Sequence, residues 1–186
     1  MNKYYEFFIE EVCRIKLTTL DDIYKFNKEL NKWKYGILIN GKIYTKCSEI
    51  DWSKYKTIRI SDIEKYHVGI CWDFVNYQHY YFKKNNIKDE SYFFVMQQSE
   101  DENDIVTHTF SIFTIANKKY WFESSWFGHQ GVKEISSFKD VVLKLVEKYG
   151  DHAYSVYKYN PDGLDNNISN GDFFKRTTRN LVFNKE

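Results

Sequence analysis

Proline is almost absent from this chain, Pro161 being its one copy among 186 residues. With so few fixed breaks, the limits of each element have to be read from capping residues and hydrophobic periodicity. Cysteine is scarce too. Cys13, Cys47 and Cys71 form an odd set at wide, irregular spacing, which excludes a secreted disulfide framework and a CxxC zinc or redox motif. A reducing compartment is the simpler setting. Neither sign of charge is in excess: 27 basic and 26 acidic residues leave +1, so no global field draws in nucleic acid or an anionic membrane. Long apolar runs are missing as well. Nothing approaches a membrane span, and Glu6, Glu10 and Glu11 interrupt the stretch a signal peptide would need. No repeat or low-complexity block occurs. The expectation is a soluble, cytoplasmic protein with neither a nucleic-acid nor a membrane partner.

What is present suffices for one core. A chain of this length buries roughly 70% of its unfolded surface, and 42% hydrophobic residues supply the material. Residues 1–186 therefore read as a single domain. Tyr4, Phe8, Val12 and Ile15 have helical spacing, and a second helix follows with Thr19 and Asp22 as its cap and Leu20, Ile23, Leu30 and Trp33 on its apolar side. Asn40-Gly41 inside Ile37–Tyr44 is a tight-hairpin signal, because both turn residues tolerate positive φ. Ser61 and Glu64 have capping-box spacing for a short helical turn over Asp62–His67, and Gly69 permits a sharp re-entry. From Cys71 a largely buried helix runs to Asn85-Asn86. Strands are expected over Ser91–Gln98, Ile105–Ile115 and Lys119–Ser124. An amphipathic helix from Ser137 closes at Gly150, a strand spans Ala153–Tyr159, and a loop through Pro161 and the Asn-rich stretch to Gly171 precedes a short terminal segment.

Three residues stand out chemically: Cys71 in Gly-Ile-Cys-Trp-Asp-Phe, His108 in Thr-His-Thr-Phe, and Glu123 in Tyr-Trp-Phe-Glu. A thiol is mostly protonated at neutral pH, so a cysteine nucleophile needs an imidazole beside it and a group that orients that imidazole. Placing Cys71 at a helix start adds unpaired amides and the positive end of the macrodipole, which favour thiolate and can bind an oxyanion, while Asp73 opposes this by like charge. If the second and third strands form a hairpin with a two-residue turn at Ala116-Asn117 or Asn117-Lys118, facing positions sum to an odd number, as 108 and 123 do. His108 and Glu123 then share a face as diagonal neighbours, and a one-residue slip would separate them.

These residues resemble the transglutaminase-like superfamily, which shares the papain-like cysteine protease fold. The resemblance covers about residues 66 to 130. In that family a helix opens with the nucleophilic Cys in a Gly-x-Cys-Trp or similar context, the His lies in a following strand and an acid in the next, and the spacings from Cys71 to His108 and on to Glu123 fall in its usual range. Tyr120–Gly128, with its aromatic strand, acid and small-residue turn, follows the family outline. The resemblance implies an α+β fold with N-terminal helices, a Cys-bearing helix packed on an antiparallel sheet, and a Cys71, His108, Glu123 triad that needs no cofactor. The family's usual third residue is Asp, so Glu123 is one methylene longer. Papain-like enzymes also place an oxyanion donor upstream. No Gln stands shortly before Cys71, which leaves Trp52, Tyr66 and His67 as candidates.

The implied chemistry is acyl transfer on a peptide or protein amide. Water as acceptor makes a peptidase or amidase; an amine makes a transglutaminase. Alternatives are a non-catalytic interaction module that kept the fold, and an arylamine acetyltransferase-like enzyme, although no Gly-rich or basic nucleotide cradle favours acyl-coenzyme A. Trp72, Trp126 and His129 are candidate substrate contacts. A zinc site at His67, Cys71 and His79 is disfavoured because Gly69 breaks the helix that would align them. Glu100–Asp104 lacks the glycine and spacing of a calcium loop and reads as a solvated hairpin tip. Aromatic residues make up 19% but alternate with strand periodicity and lack interleaved basic patches, so they read as core, not as stacking platforms for bases.

Overall fold

The computed structural model describes residues 15–46, 48, 50–101, 104–150, 152–164 and 167–185. The expected helix through Tyr4, Phe8 and Val12, and both Cys13 and Cys47, lie outside that set. Helix α1 (Leu20–Leu30) begins as its sequence dictates. The Asp22 amide donates to Thr19 Oγ1, the Asp22 carboxylate accepts the Thr19 N–H at 2.9 Å, and Ile23, Phe26 and Leu30 are buried. Short strands follow: β1 (Lys34–Tyr35), β2 (Ile37–Ile39) and β3 (Lys42–Tyr44). β2 and β3 pair through the expected turn, with φ of 50° at Asn40 and 77° at Gly41.

Helix α2 (Ile60–Tyr66) corrects one expectation. Its N-cap is Arg59, with no side-chain cap bond, so Ser61 does not cap it. Glu64 instead accepts a hydrogen bond from the Tyr81 hydroxyl at 2.7 Å, a long-range contact invisible to local spacing. His67 ends the helix in the left-handed region at φ 50°. Strand β4 (Val68–Gly69) then runs parallel to β1 and feeds α3 (Cys71–Lys84). A side chain at Gly69 would put its Cβ 2.9 Å from Asp73 Cβ. Glycine is required here for close approach of β4 to the first turn of α3.

The main sheet has the order β10-β9-β5-β6-β7-β8, with all neighbours antiparallel. Its members are β5 (Lys88–Gln97), β6 (Ile105–Ile115), β7 (Lys118–Glu123), β8 (Gly131–Glu134), β9 (Tyr154–Tyr159) and β10 (Leu181–Lys185). Ala116 and Asn117, with φ of 49° and 61°, make the β6–β7 connection a two-residue turn whose twist suits a hairpin. Strand periodicity gives the sheet two apolar faces. One carries Phe93, Phe113 and Phe122 against α3; the other carries Tyr92, Phe94, Phe110, Ile112 and Trp121 against Val141, Val142 and Leu145 of α4 (Phe138–Tyr149). Helix α1, strand β2 and α5 (Asn170–Thr177) pack around the rest of α3, which is why it is buried on nearly all sides. β8, α5 and β10 were not expected. No helix of the described residues is long and apolar enough to cross a membrane.

Candidate active site

Cys71 is the first residue of α3. Its N-cap, Ile70, has no polar side chain to satisfy the helix start, and Asp73 supplies one from within the first turn. The Asp73 carboxylate accepts the Ile70 N–H at 3.0 Å, the Ile58 N–H at 2.7 Å and the Tyr55 hydroxyl at 2.9 Å. One buried carboxylate thus fixes the end of β4, the 55–58 segment and the start of α3 in a single arrangement. Burial pushes Asp73 up to about 7 despite the three hydrogen bonds that favour its charged form, which weakens its opposition to a neighbouring thiolate.

His108 lies on β6 and Glu123 ends β7. The register sets Phe122 opposite Ser111, so Glu123 falls diagonally from His108, as hairpin parity requires. Pairing of β7 with β6 stops at that point, leaving the His108 stretch of β6 open along one side. The ring Nε2 lies 2.8 Å from Glu123 Oε2. The other oxygen, Oε1, accepts the Ser125 N–H at 2.8 Å, the Ser125 hydroxyl at 3.0 Å and the Trp126 N–H at 3.0 Å, while Asn27 of α1 donates to the Glu123 carbonyl at 2.8 Å. The extra methylene of Glu is therefore absorbed by a turn folded around its carboxylate.

Burial lifts the Glu123 carboxyl, but the charge and hydrogen bond of His108 and the two backbone donors outweigh it and hold it below its ordinary value. Burial likewise disfavours the His108 imidazolium, yet the Glu123 charge, with the hydrogen bonds that the ring shares with Cys71 and Glu123, carries it up to about 10. An ionised carboxylate only accepts, so Nε2 donates to it. Nδ1 is the nitrogen left for the Cys71 thiol, which is hydrogen-bonded to the ring. The three residues expected to converge are together, and both Cys71 and His108 are 4% exposed.

The other candidates fall in different places. Trp126 is buried edge-on to His108, with ring centres 6.2 Å apart, and exposed His129 stacks on it at 4.0 Å. Lys148 lies over the same indole at 4.3 Å. Trp72 belongs to the core, stacked on Phe173 at 4.0 Å with its edge toward Tyr55 and Phe93. Of the proposed oxyanion donors, Trp52 meets Tyr55, Tyr66 sits under the Lys65 ammonium, and His67 stacks on Trp33 at 4.7 Å. The hydroxyl placed against Cys71 is that of Tyr35. Sequence reading missed it because its position follows from a two-residue parallel bridge, too short for any periodic signal. Also missed was a buried link in which Ser111 donates to Gln78 Oε1 and Gln78 Nε2 donates to Ser124 Oγ at 2.8 Å, fastening α3 to β6 and to the turn after Glu123. Among the described residues, no three His, Cys, Asp or Glu side chains are grouped to hold a metal ion.

No family model matches this chain, and no curated protein matches it. Among solved structures it is similar to an arylamine N-acetyltransferase from Bacillus cereus, described as having a unique Cys-His-Glu catalytic triad, at 12% identity and a TM-score of 0.43. The match covers 67% of this chain and 49% of that one, so this chain spans about half the length of the structure it matches. A likeness at that score does not define the fold.

Proposed function

We propose that the chain is a cysteine-dependent acyl-transfer enzyme with a Cys71, His108, Glu123 triad on a papain-like, transglutaminase-like scaffold. It acts on an amide of a peptide or protein, with water as the acceptor. The observation that carries this reading is the double engagement of His108, one ring nitrogen on a fully hydrogen-bonded carboxylate and the other on a cysteine at a helix start.

Each part has a role in the reaction. His108 takes the thiol proton through Nδ1 and, raised as it is, remains imidazolium at neutral pH beside the thiolate. Sulfur attacks the carbonyl carbon, and the first amides of α3, that of Cys71 among them, face the oxyanion. Imidazolium then gives its proton to the departing amine, leaving an acyl thioester, and neutral His108 draws a proton from the water that resolves it. Glu123 keeps the Nε2–H tautomer throughout.

The test is the rate of Cys71 alkylation by iodoacetamide, located by peptide mapping so that Cys13 and Cys47 do not contribute. Wild-type Cys71 is expected to react faster at neutral pH than a free thiol and to lose that advantage in His108→Ala. A rate equal to a free thiol in both proteins would leave no activated nucleophile and end the proposal.

A further inference from the structure

Tyr35 occupies a place that the acyl-transfer reading needs filled. The residue is 47% exposed, yet it lies beside a cysteine that is 4% exposed. Its hydroxyl is hydrogen-bonded to the Cys71 side chain and receives the Cys71 backbone N–H. That amide is the group expected to meet an oxyanion, so the phenol oxygen stands where a substrate's carbonyl oxygen has to arrive.

The placement is set by the backbone. In the parallel β1–β4 bridge Tyr35 faces Gly69, with the Lys34 N–H on the His67 carbonyl at 2.9 Å and the Gly36 N–H on the Gly69 carbonyl at 3.1 Å. Gly36 fits closely beside β3, where a side chain would put its Cβ 2.5 Å from the Tyr44 carbonyl oxygen. Tyr35 is thus held by the backbone on both flanks, two residues in register from the nucleophile, with its hydroxyl on Cys71.

We infer that Tyr35 is the side-chain donor of the oxyanion hole, turning its O–H from the Cys71 sulfur to the acyl oxygen as the tetrahedral intermediate forms. The inference rests on the acyl-transfer reading above and adds a catalytic residue to it. In the free protein the phenol caps sulfur and amide. As the Sγ–C bond forms, the carbonyl π electrons move onto oxygen, which takes the Cys71 N–H, and the released phenol donates to the same atom. Collapse returns those electrons to the carbonyl and expels the leaving group, with Tyr35 unchanged. Burial of the hydroxyl end first, and then the nearby Cys71, keep the phenol well above its ordinary value, so it stays a donor over the working pH range.

Two probes separate this role from a packing role. p-Nitrophenyl acetate acylates sulfur through a tetrahedral oxyanion: an S–C bond forms, the bond to p-nitrophenolate breaks, and the thiol proton stays on His108. Iodoacetamide alkylates the same sulfur by displacing iodide and builds no oxyanion. In Tyr35→Phe, acylation by p-nitrophenyl acetate is expected to fall on the order of 10²-fold while alkylation stays within about three-fold of wild type. The alkylation rate also checks that the variant retains an intact Cys71–His108 pair. Unchanged acylation, equal losses with both probes, or gains with both would overturn the assignment, the last identifying Tyr35 as a cover only. Failure of the parent reading looks different: wild-type Cys71 itself would not be acylated, and His108→Ala would leave alkylation unaltered, removing both proposals together.

Discussion

Two histidines contact α3 or belong to it, and each is hydrogen-bonded to a carboxylate at nearly the same distance. His108 Nε2 is 2.8 Å from Glu123, and His79 Nδ1 is 2.9 Å from Asp89. Their surroundings separate them. The side chain of His108 is 5% exposed, and its second nitrogen meets a thiol. That of His79 is 17% exposed, and its second nitrogen meets another acid, Asp162, at 3.3 Å. With both nitrogens against carboxylates, His79 has no thiol within its hydrogen bonds to exchange a proton with. It acts as a clasp, tying α3 to β5 and to the 160–164 segment, with Lys83 joining through Asp162 at 2.8 Å. A cavity of about 320 Å³ opens at this clasp, lined by Asn76, His79, Tyr80 and Lys83 among others, whereas Cys71 is closed over. A cavity alone would direct attention to His79; what sets His108 apart, and what the proposed reaction uses, is the group on its second nitrogen.

The sharpest way to break that contrast is to remove each imidazole in turn. His108→Ala is expected to slow Cys71 acylation by p-nitrophenyl acetate on the order of 10²- to 10⁴-fold, the usual worth of a positioned proton acceptor. His79→Ala should leave the rate within about two-fold, since its ring nitrogens meet carboxylates and not the thiol. Comparable losses in both would show that the two clusters act as one. Glu123→Gln comes next. Its Oε1 can still accept from Ser125 and Trp126, but an amide NH₂ then faces Nε2 and drives the ring proton to Nδ1, toward sulfur. A loss on the order of 10²-fold or more is expected in the same assay.

That substitution also tests the electrostatics. His108 is raised on folding, so its contribution to stability is complete below its unfolded value and is lost as pH rises through about 10. Glu123 is lowered, so its contribution is complete above its ordinary value of 4.5 and is lost as pH falls below it. Thermal melts of wild type should therefore decline on both sides of that window, and those of Glu123→Gln should lose both declines. Identical pH profiles would mean that the pair is not ionised in the folded protein.

How far the sequence could be read follows the same division between local and long-range causes. The start of α1 at Thr19, the Asn40-Gly41 hairpin, α3 opening at Cys71, and the β6–β7 turn that aligns His108 with Glu123 are all set by residues within a few positions of one another, and each is legible. Elements fixed from afar are not. β10 is a strand because β9 offers an edge, with Lys185 facing Tyr154, and its own burial gives no alternating signal. Strand β8 is four residues long and exists because Glu123 and Gly131 pair after the intervening turn. In the site the meeting of Cys71, His108 and Glu123 could be anticipated from order and spacing. Tyr35 could not, because a parallel bridge joins residues far apart in sequence through backbone groups common to all residues.

A smaller effect is expected at the other carboxylate near the start of α3. Asp73→Ala leaves the Ile58 and Ile70 amides and the Tyr55 hydroxyl without their acceptor, and urea unfolding should show a loss of about 3 kcal/mol. Asp73 also has a pH signature opposite to that of Glu123. Burial raises it from 3.8 to about 7, so the folded chain holds the proton more tightly, and this group's contribution falls as pH rises across that interval and is flat above it. Asp73→Ala should remove that slope while the alkaline decline assigned to His108 persists. If both limbs vanish together, the two carboxylates are coupled and the start of α3 is one electrostatic unit.

The smallest effect belongs to the far end of α3. Lys83 and Asp162 are joined at 2.8 Å, but their side chains are 61% and 48% exposed, so water competes for both charges and salt screens them. Lys83→Ala is expected to change unfolding free energy by no more than about 0.5 kcal/mol and to leave Cys71 acylation unaltered. The clasp then depends on His79, which its two acids raise even though burial opposes it. Its contribution is complete below its unfolded value and fades as pH climbs past it. Lys83→Ala should keep this fade and His79→Ala should abolish it, both read from urea midpoints across neutral pH. If Lys83→Ala instead slowed acylation, a charge two or more turns beyond Cys71 would be reaching the sulfur. The proposed separation of α3 into a reacting start and a clasped end would then fail at its weakest contact.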